Sequence, residues 1–367
     1  MKVAWLIILA GGMAMGRIIN IGLIGFGLSG RVFHAPIILS TQGFRISKVY
    51  ETKDENLKKL KELCPEAQAV SNTEDIFQDD SIELVVITAP NALHFPLCKR
   101  ALECNKNVVV EKPFTISTRD ADRLIALAGD KEKLLSVYQN RRWDGDYMTI
   151  RKLVEEKALG RLVEYQAAWG RFRPQIKDTW KEKEGSGCGI LYDLGSHLID
   201  QAICLFGLPH RIFADLRQQR DGSTANDYFQ IILEYEDLRA ELKGSMLMKD
   251  AGPRYSLYGT EGCFKKFGID PQEENLKAGK LPKDCGQWGQ DSQELWGTLL
   301  TDKDGTETEE RIPTLDGDYR QFYTKLYDAL CNKGKNPVNP KEARNVIRII
   351  ELAEESASQG AWVRYQA

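Results

Sequence analysis

A run of apolar residues, 18–24, leads directly into three glycines, Gly25, Gly27 and Gly30, and this feature limits the fold more than any other. The first glycine permits a tight turn, the second lets the backbone approach a pyrophosphate, and the third lets the next helix pack close to the strand. Glu51 follows the next apolar run, where a carboxylate can accept a hydrogen bond from an adenosine ribose. Together these features predict a dinucleotide-binding turn, and an ordinary glycine turn is the alternative.

Strand-like apolar runs recur along the first 140 residues, with helical segments between them. The predicted strands are 18–25, 45–50, 84–89, 107–110 and 134–138, and the predicted helices are 54–64, 94–104 and 117–128. This alternation predicts a doubly wound parallel sheet, in which ligands bind outside the carboxyl ends of the strands. We therefore expect the cofactor to be contacted by Gly25, Gly27, Gly30, Glu51, Lys53, Asn91, His94, Glu111 and Lys112.

From about residue 145 the pattern changes to strands with period-two alternation. Phe229, Ile231, Leu233 and Tyr235 share one face of a strand, and Ala240, Leu242, Met246 and Met248 share a face of the next. Such alternation predicts a large open, mainly antiparallel sheet with one buried face. Segment 270–312 is charged and glycine-rich and is predicted to be a long excursion, followed by helices near 318–330 and 340–356.

A chain of 367 residues is too long for one typical core, so we expect two domains. The predicted division is an extension over 1–16, a Rossmann domain over 17–140, and an α/β domain for substrate binding and oligomerisation over 141–367. A net charge of −3 gives no reason to expect a nucleic acid or an anionic membrane as a partner.

The eight cysteines contain no CxxC pair and no zinc-like spacing, so we expect free thiols, a reducing compartment and no bound metal. A secreted enzyme with disulfides is the alternative. Lys2 and the apolar segment 3–10 resemble a short signal peptide, but Met15 lies just before the first strand. We favour a translation start placed too early, or an extension without function, in a cytoplasmic protein. Export remains the alternative.

The chain has four histidines, and His197 lies four residues after Asp193, where a glycine-rich loop enters an apolar helix. Gly207 and Pro209 are expected to end that helix. Side chains four residues apart share a helix face, so Asp193 can orient the imidazole of His197 as a general base. The alternative is a helix-capping aspartate beside a histidine with a structural role.

Lys112 follows the apolar run 107–110 and precedes Pro113. A lysine at the carboxyl end of a strand in a Rossmann crevice faces the nicotinamide, where its compact positive charge can polarise a substrate oxygen. The alternative is a solvated surface lysine.

Three motifs occur in order along the chain: the glycine turn, Glu111-Lys112-Pro113, and Asp193 followed by His197. This combination resembles the glucose–fructose oxidoreductase, inositol dehydrogenase and MocA (Gfo/Idh/MocA) family, over residues 18 to the C-terminus. Segments 140–144, 171–174 and 192–201 look closest to the branch with NADP-dependent scyllo-inositol dehydrogenase. The resemblance implies the two-domain fold described above and a homodimer or homotetramer.

The resemblance also implies a catalytic set of Lys112, Asp193 and His197, with His197 as general base, Asp193 as its partner, and Lys112 steadying the substrate oxygen. We expect a dehydrogenase that moves a hydride between NAD(P) and a cyclic polyol or sugar. The residues expected to contact the substrate are Asn140, Arg142, Trp143, Arg173 and Tyr192. A glycosidase that oxidises its substrate transiently with NAD, and a sensor that binds the dinucleotide without catalysis, are the alternatives.

The N-terminal extension and Glu51 depart from that branch. The Glu51 carboxylate would repel a 2′-phosphate, although Lys53 could offset part of the repulsion. The resemblance favours NADP, whereas the local charge favours NAD, and we expect NAD.

Overall fold

The computed structural model describes residues 17–303 and 305–366. The predicted extension, 1–16, lies outside these residues, as does the apolar segment on which the export alternative rests. Among the residues described, no helix is both long enough and apolar enough to span a bilayer.

The first half of the chain forms a six-stranded parallel sheet with the order β3-β2-β1-β4-β5-β6. Its strands are β1 (Ile19–Ile24), β2 (Phe44–Tyr50), β3 (Gln68–Val70), β4 (Leu84–Ile87), β5 (Asn107–Val110) and β6 (Leu135–Val137). Its helices are α1 (Ala35–Leu39), α2 (Asp54–Leu63), α3 (Glu74–Phe77), α4 (His94–Glu103) and α5 (Thr118–Asp130). The strand order reverses between β1 and β4, where such sheets bind ligands, and the predicted doubly wound sheet is confirmed.

Burial explains why the central strands read as continuous apolar runs. All four residues of β4 are 0% exposed, as expected where helices cover both faces of a parallel sheet. The sequence did not predict β3, because it is a short edge strand in which Gln68 and Ala69 are exposed. Ser117 caps α5 as predicted: its hydroxyl oxygen accepts a hydrogen bond from the backbone N–H of Asp120 at 3.2 Å.

The second half of the chain forms a nine-stranded sheet with the order β14-β13-β12-β11-β7-β10-β9-β8-β15. Its strands are β7 (Leu162–Gly170), β8 (Arg211–Arg217), β9 (Tyr228–Glu234), β10 (Arg239–Ser245), β11 (Tyr255–Gly259), β12 (Gly262–Lys266), β13 (Gly297–Lys303), β14 (Thr306–Ile312) and β15 (Val363–Arg364). Its helices are α6 (Gly145–Glu155), α7 (Ser196–Phe206), α8 (Gln272–Lys277), α9 (Arg320–Cys331) and α10 (Pro340–Gln359). Neighbouring strands are antiparallel except β7 and β10, which run parallel, so the mainly antiparallel sheet is confirmed.

The prediction of a long excursion over 270–312 is wrong. This segment contains α8 and the hairpin of β13 and β14, which extends the sheet at one edge. Almost every residue of β14 is exposed, so its sequence lacks the apolar alternation of a half-buried strand. Charged, solvent-facing residues are typical of edge strands, because they discourage pairing with other chains.

Helix α10 joins the two halves of the molecule. Its apolar residues Val346, Ile347 and Ile350 are at most 1% exposed, and it packs against α5 and β6 of the first half and β8 and α7 of the second. The Asn339 side chain caps its start by accepting from the backbone N–H of Lys341 at 3.0 Å. This shared helix helps to hold α7 beside the carboxyl end of the parallel sheet.

Candidate functional site

In the turn at the end of β1, the backbone requires glycine at two positions and leaves open space beside the third glycine. Gly25 has a φ of +94°, and a Cβ added to Gly30 would lie 2.2 Å from the carbonyl oxygen of Gly25. Both positions therefore require glycine. A Cβ added to Gly27 would meet no atom within 4 Å. The open side of Gly27 is the place where a pyrophosphate can approach the backbone, so the turn fits a dinucleotide.

Glu51, at the end of β2, faces this turn. Its Oε2 accepts from the backbone N–H of Phe26 at 3.1 Å and from Asn56 Nδ2 at 2.9 Å. Its Oε1 accepts from the backbone N–H groups of Thr52 and Lys53 at 2.9 and 3.0 Å. Burial raises the pKa of this carboxyl, but the donors outweigh burial and the net pKa is lowered. A fixed negative charge therefore lies against the glycine turn, whereas the Lys53 side chain is exposed.

Glu111, at the end of β5, ties this turn to the second half of the chain. Its Oε1 accepts from Ser29 Oγ and lies 3.1 Å from His34 Nε2, while its Oε2 accepts from the backbone N–H of Lys112 at 2.9 Å. The other ring nitrogen of His34 lies 2.7 Å from the Tyr323 hydroxyl on α9. Burial raises the pKa of Glu111, but His34 and Lys112 outweigh it and bring the pKa to about 2. Glu111 is thus an ionised anchor beside Lys112.

Lys112 is bound to Asp193, which connects the two sheets. Lys112 Nζ donates to Asp193 Oδ1 at 3.0 Å and to the Asp193 backbone oxygen at 2.8 Å. Lys181 Nζ donates to the same Oδ1 at 2.7 Å. Burial raises the pKa of Asp193, but the two ammonium groups hold it well below its ordinary value. Burial also lowers the pKa of Lys112; Asp193 opposes that shift and Lys181 adds to it, and the net pKa is below that of an ordinary lysine.

His197 lies at the start of α7 with its ring 5.8 Å from the ring of Trp169. The residue is 5% exposed, and among the described residues its Nδ1 has no hydrogen-bond partner. Burial, together with the charges of Lys112 and Arg141, holds the pKa of His197 well below its ordinary value. The imidazole is therefore neutral at neutral pH, which is the form that can accept a proton.

The expected hydrogen bond between Asp193 and His197 is not formed. Asp193 belongs to a π-helical turn, Leu191–Gly195, that precedes α7. A π turn is wider than an α turn, so side chains four residues apart no longer lie directly above one another. The Asp193 carboxylate is bound by Lys112 and Lys181 instead. Lys112, Asp193 and His197 were predicted to lie together, but the partner predicted for the Asp193 carboxylate is wrong.

The two other residues expected at the cofactor lie in the loop after β4 and at the start of α4. Asn91 is 8% exposed, and its Nδ2 donates to the Gly187 carbonyl at 2.8 Å. His94 is 1% exposed, with its ring nitrogens 2.8 Å from the Pro113 carbonyl and 3.0 Å from the Ala89 carbonyl. Each ring nitrogen faces a backbone carbonyl, and the neutral imidazole donates to one of the two, so the ring is packed between the loops after β4 and β5.

The residues expected to contact the substrate lie in three segments: the turn after β6, the stretch beyond β7 and the turn before α7. Asn140 lies in the turn after β6, and Arg173 lies exposed beyond β7. Trp143 is 7% exposed and packs on Phe322, with the ring centroids 5.8 Å apart. Tyr192 is 4% exposed, and its hydroxyl donates to Glu354 on α10 at 3.4 Å. Trp143 and Tyr192 are therefore packed into the protein.

Arg142 also has a structural partner. Its Nε and Nη2 donate to the two carboxylate oxygens of Asp200 at 2.8 and 2.7 Å, and its Nη1 donates to Glu342 at 2.6 Å. The Asp200 side chain is 2% exposed. A bidentate pair of this kind holds α7 to the turn after β6 and to α10.

We expect Arg142→Leu to lower the free energy of unfolding by about 3 kcal/mol, because it leaves the buried Asp200 carboxylate without its partner. Urea denaturation of the purified variant measures this loss. The double variant with Asp200→Asn is the matched control, and it is expected to recover part of the stability. Unchanged stability together with a raised KM would instead assign Arg142 to the substrate.

Lys181 contacts Asp193 and Trp169 contacts His197, and neither residue was predicted from the sequence. Lys181 lies among other charged residues in segment 177–184, and nothing in that pattern distinguishes it. Trp169 lies in β7, with the guanidinium carbons of Arg254, Arg141 and Arg171 at 4.4, 4.5 and 5.5 Å from its ring. The alternation of Tyr165, Ala167 and Trp169 along β7 is consistent with an inward side chain at Trp169. This pattern does not reveal the arginines around the ring.

Comparisons with known proteins show which family this chain resembles. A model for the NAD-binding Rossmann fold of the GFO_IDH_MocA oxidoreductase family matches residues 19–139, and a model for the C-terminal alpha/beta domain of that family matches residues 151–365. The scyllo-inositol 2-dehydrogenase (NADP+) IolW of Bacillus subtilis is 40% identical over 93% of this chain and 94% of its own length. The oxidoreductase YdgJ of Escherichia coli is 44% identical over 94% of this chain and 97% of its own length.

Solved structures show the same architecture. The Bacillus subtilis oxidoreductase YvaA superposes with a TM-score of 0.92 at 39% identity, covering 95% of this chain and 99% of that one. The Yersinia pestis oxidoreductase YPO2259 superposes with a TM-score of 0.91 at 40% identity, covering 96% of this chain and 99% of that one. This chain therefore belongs to the Gfo/Idh/MocA family of oxidoreductases, and its Rossmann domain binds NAD or NADP.

Proposed function

We propose that this enzyme moves a hydride between NAD(P) and a secondary alcohol of a cyclic polyol or sugar, of the inositol type. The observation that carries the proposal is the ion pair between Lys112 and Asp193. Lys112 lies at the carboxyl end of β5, and Asp193 lies just before α7. The ammonium group of Lys112 and the neutral imidazole of His197 therefore lie in one charged cluster at the ligand-binding edge of the parallel sheet. The 40% identity to a scyllo-inositol dehydrogenase supports an inositol-like substrate.

In the oxidative direction, His197 accepts the hydroxyl proton of the substrate. Lys112 donates a hydrogen bond to the same oxygen while negative charge develops on it. Asp193 holds the Lys112 ammonium in place, and its own pKa, well below the ordinary value, keeps it ionised while it does so. The bound nicotinamide supplies the acceptor for the hydride.

The residues proposed to hold the cofactor line the edge where β1, β2, β4 and β5 end. Gly25, Gly27 and Gly30 shape the turn for the pyrophosphate, Glu51 faces the adenosine ribose, and Glu111 and Lys112 lie at the nicotinamide end. Asn91 and His94 would act indirectly, by holding the neighbouring loops. We propose NAD as the preferred cofactor because the Glu51 carboxylate is ionised, although the NADP-dependent relative favours the other choice.

The division into 17–140 and 141–367 remains a proposal, with cofactor binding in the first part and substrate binding in the second. We also propose a homodimer or homotetramer built on the open face of the nine-stranded sheet. Residues Tyr228, Gln230 and Ile232 of β9 are half-buried, whereas their neighbours toward α7 are fully buried. Light scattering on the purified protein measures the subunit number, and a monomer would contradict this part of the proposal.

A screen of inositols and aldoses with both NAD and NADP tests the proposed reaction. We expect reduced nicotinamide to accumulate together with an oxidised polyol. Cleavage of a glycoside without net reduction of the cofactor would identify the glycosidase alternative. Cofactor binding without turnover of any polyol would identify the sensor.

We expect Glu51→Ser to raise kcat/KM with NADP relative to NAD by about tenfold, which corresponds to about 1.4 kcal/mol. The reason is that a 2′-phosphate no longer meets a negative charge of its own sign. Glu51→Gln keeps the shape of the side chain and removes its charge, so it separates electrostatics from packing. Lys53→Ala is the control and is expected to change NAD use little. A wild-type preference for NADP would contradict the assignment and indicate Lys53 as the phosphate contact.

A further inference from the structure

The connection between β7 and the π-helical turn, residues 171–189, forms a strap beside Lys112 and Asp193. One helical turn of the strap, Trp180–Glu182, carries Lys181 at its centre. The Lys181 side chain is 45% exposed, yet its Nζ lies 2.7 Å from Asp193 Oδ1. Lys181 thus reaches from the surface into the cluster that holds Lys112.

Hydrogen bonds hold the residues near Lys181, one within the strap and the others from outside it. Within the strap, Cys188 Sγ donates to the Trp180 carbonyl at 3.2 Å. From outside it, Arg220 Nη1 donates to Glu182 Oε2 at 3.1 Å and to the Arg173 and Gln175 carbonyls at 3.2 and 3.3 Å.

Arg220 is itself a fixed anchor. Its side chain is 3% exposed, and its Nε donates to Asp227 Oδ2 at 2.9 Å. Asp227 also accepts from the backbone N–H groups of Gln219 and Arg220 at 2.6 and 3.1 Å. Because the residues beside Lys181 are held in this way, its position over Asp193 is built into the fold.

Two ammonium groups therefore share one carboxylate oxygen. A single aspartate compensates one positive charge, so the cluster of Lys112, Lys181 and Asp193 carries a surplus positive charge. Other charges also face it. Glu111 lies next to Lys112 in its own loop, His197 approaches from α7, and Arg171 faces Asp193 from the end of β7. Glu111 is the other carboxylate among them, and its negative charge also acts on both ammonium groups, so it offsets part of the positive charge.

We propose that Lys181 is a positioning residue of this site. By occupying Asp193 Oδ1 together with Lys112, it directs the Lys112 ammonium toward the substrate oxygen and adds a second positive charge beside that oxygen. This inference rests on the proposed function, because it concerns stabilisation of the oxygen on which charge develops during oxidation of an alcohol. The strap thereby becomes part of the electrostatic environment of the reaction.

The direct test is the titration of Lys112 by NMR in protein labelled with 13C at lysine Cε, with the Lys112 signal assigned from Lys112→Arg. In Lys181→Met we expect the Lys112 pKa to rise by about one unit, because a like charge leaves and Asp193 is then shared by Lys112 alone. Lys181→Arg keeps the charge and is expected to titrate near the wild type. Lys183→Met is the matched control, since Lys183 is exposed and pairs with Asp178 at 2.8 Å.

An unchanged Lys112 pKa in Lys181→Met overturns the proposal, and so does an equal rise in Lys183→Met. A folded Lys181→Arg variant that titrates like Lys181→Met also overturns it, because the charge would then not be the cause. These readouts need no substrate. A wild-type protein that oxidises no polyol would contradict the proposed function while the titration still decides the role of Lys181.

Steady-state kinetics of Lys181→Met measures how the charge of Lys181 affects turnover. Lys181→Met is expected to lower kcat about tenfold at neutral pH, with a smaller change in KM, because it removes charge that acts on the developing oxyanion. The basic limb of its kcat profile is expected to move to higher pH, since a raised Lys112 pKa keeps the ammonium protonated further into the alkaline range. A raised KM with unchanged kcat and an unmoved profile would contradict the positioning role.

Discussion

Lys112→Ala is expected to lower kcat for polyol oxidation about 10³-fold, the size of effect found when a group that stabilises a developing oxyanion is removed. Folding and cofactor binding are expected to persist, because Asp193 keeps Lys181 as a partner and Glu111 keeps His34 and Ser29. Steady-state kinetics together with cofactor titration by fluorescence separates these effects.

Lys99→Ala is the matched control for this variant. Lys99 lies on α4, pairs with Glu103 at 3.0 Å and is 46% exposed, so its loss is expected to leave kcat unchanged. A folded Lys112→Ala enzyme with near-wild-type kcat would show that Lys112 has only the structural role of binding Asp193.

His197→Ala is expected to lower kcat about 10³-fold, within the range for loss of a general base. In the wild type, the acidic limb of the kcat profile is expected below pH 6.5, the ordinary pKa of histidine, because burial and the neighbouring cations lower the pKa of His197. A lowered pKa keeps the imidazole of His197, the proposed base, neutral to more acidic pH.

The control for this variant is His210→Ala, because His210 is exposed. It is expected to keep both kcat and the pH profile of the wild type. An acidic limb that persists unchanged in His197→Ala would assign the proton transfer to another group.

The parallel sheet was accessible from the sequence because its central strands, β4 and β5, are buried on both faces and read as apolar runs. Segment 107–110 matches β5 residue for residue. The hairpin of β13 and β14 was not accessible, because its outer strand is solvated and carries no burial pattern. Sequence patterning thus reveals the elements that a core requires and misses those that water covers.

The residues of the site also differ in how well they could be predicted from the sequence. Lys112 and Glu111 could be placed because they follow a buried strand, whose end is fixed by the fold. The pairing of Asp193 could not be predicted, because a π-helical turn replaces the α-helical spacing that the prediction assumed. Arg142, Trp143 and Tyr192 resembled pocket residues by type, but Asp200, Phe322 and Glu354 engage them within the protein.

In the proposed reaction, the alcohol carbon of a polyol gives its hydride to the nicotinamide at the cluster of Lys112, Asp193 and His197. A polyol that carries deuterium at the reacting carbon tests it directly, with mass spectrometry of the recovered cofactor. We expect the reduced nicotinamide to gain deuterium in step with the oxidised polyol, and Lys112→Ala to slow both equally. An oxidised polyol accompanied by unlabelled reduced cofactor, or a labelled polyol consumed without reduced cofactor, would contradict it.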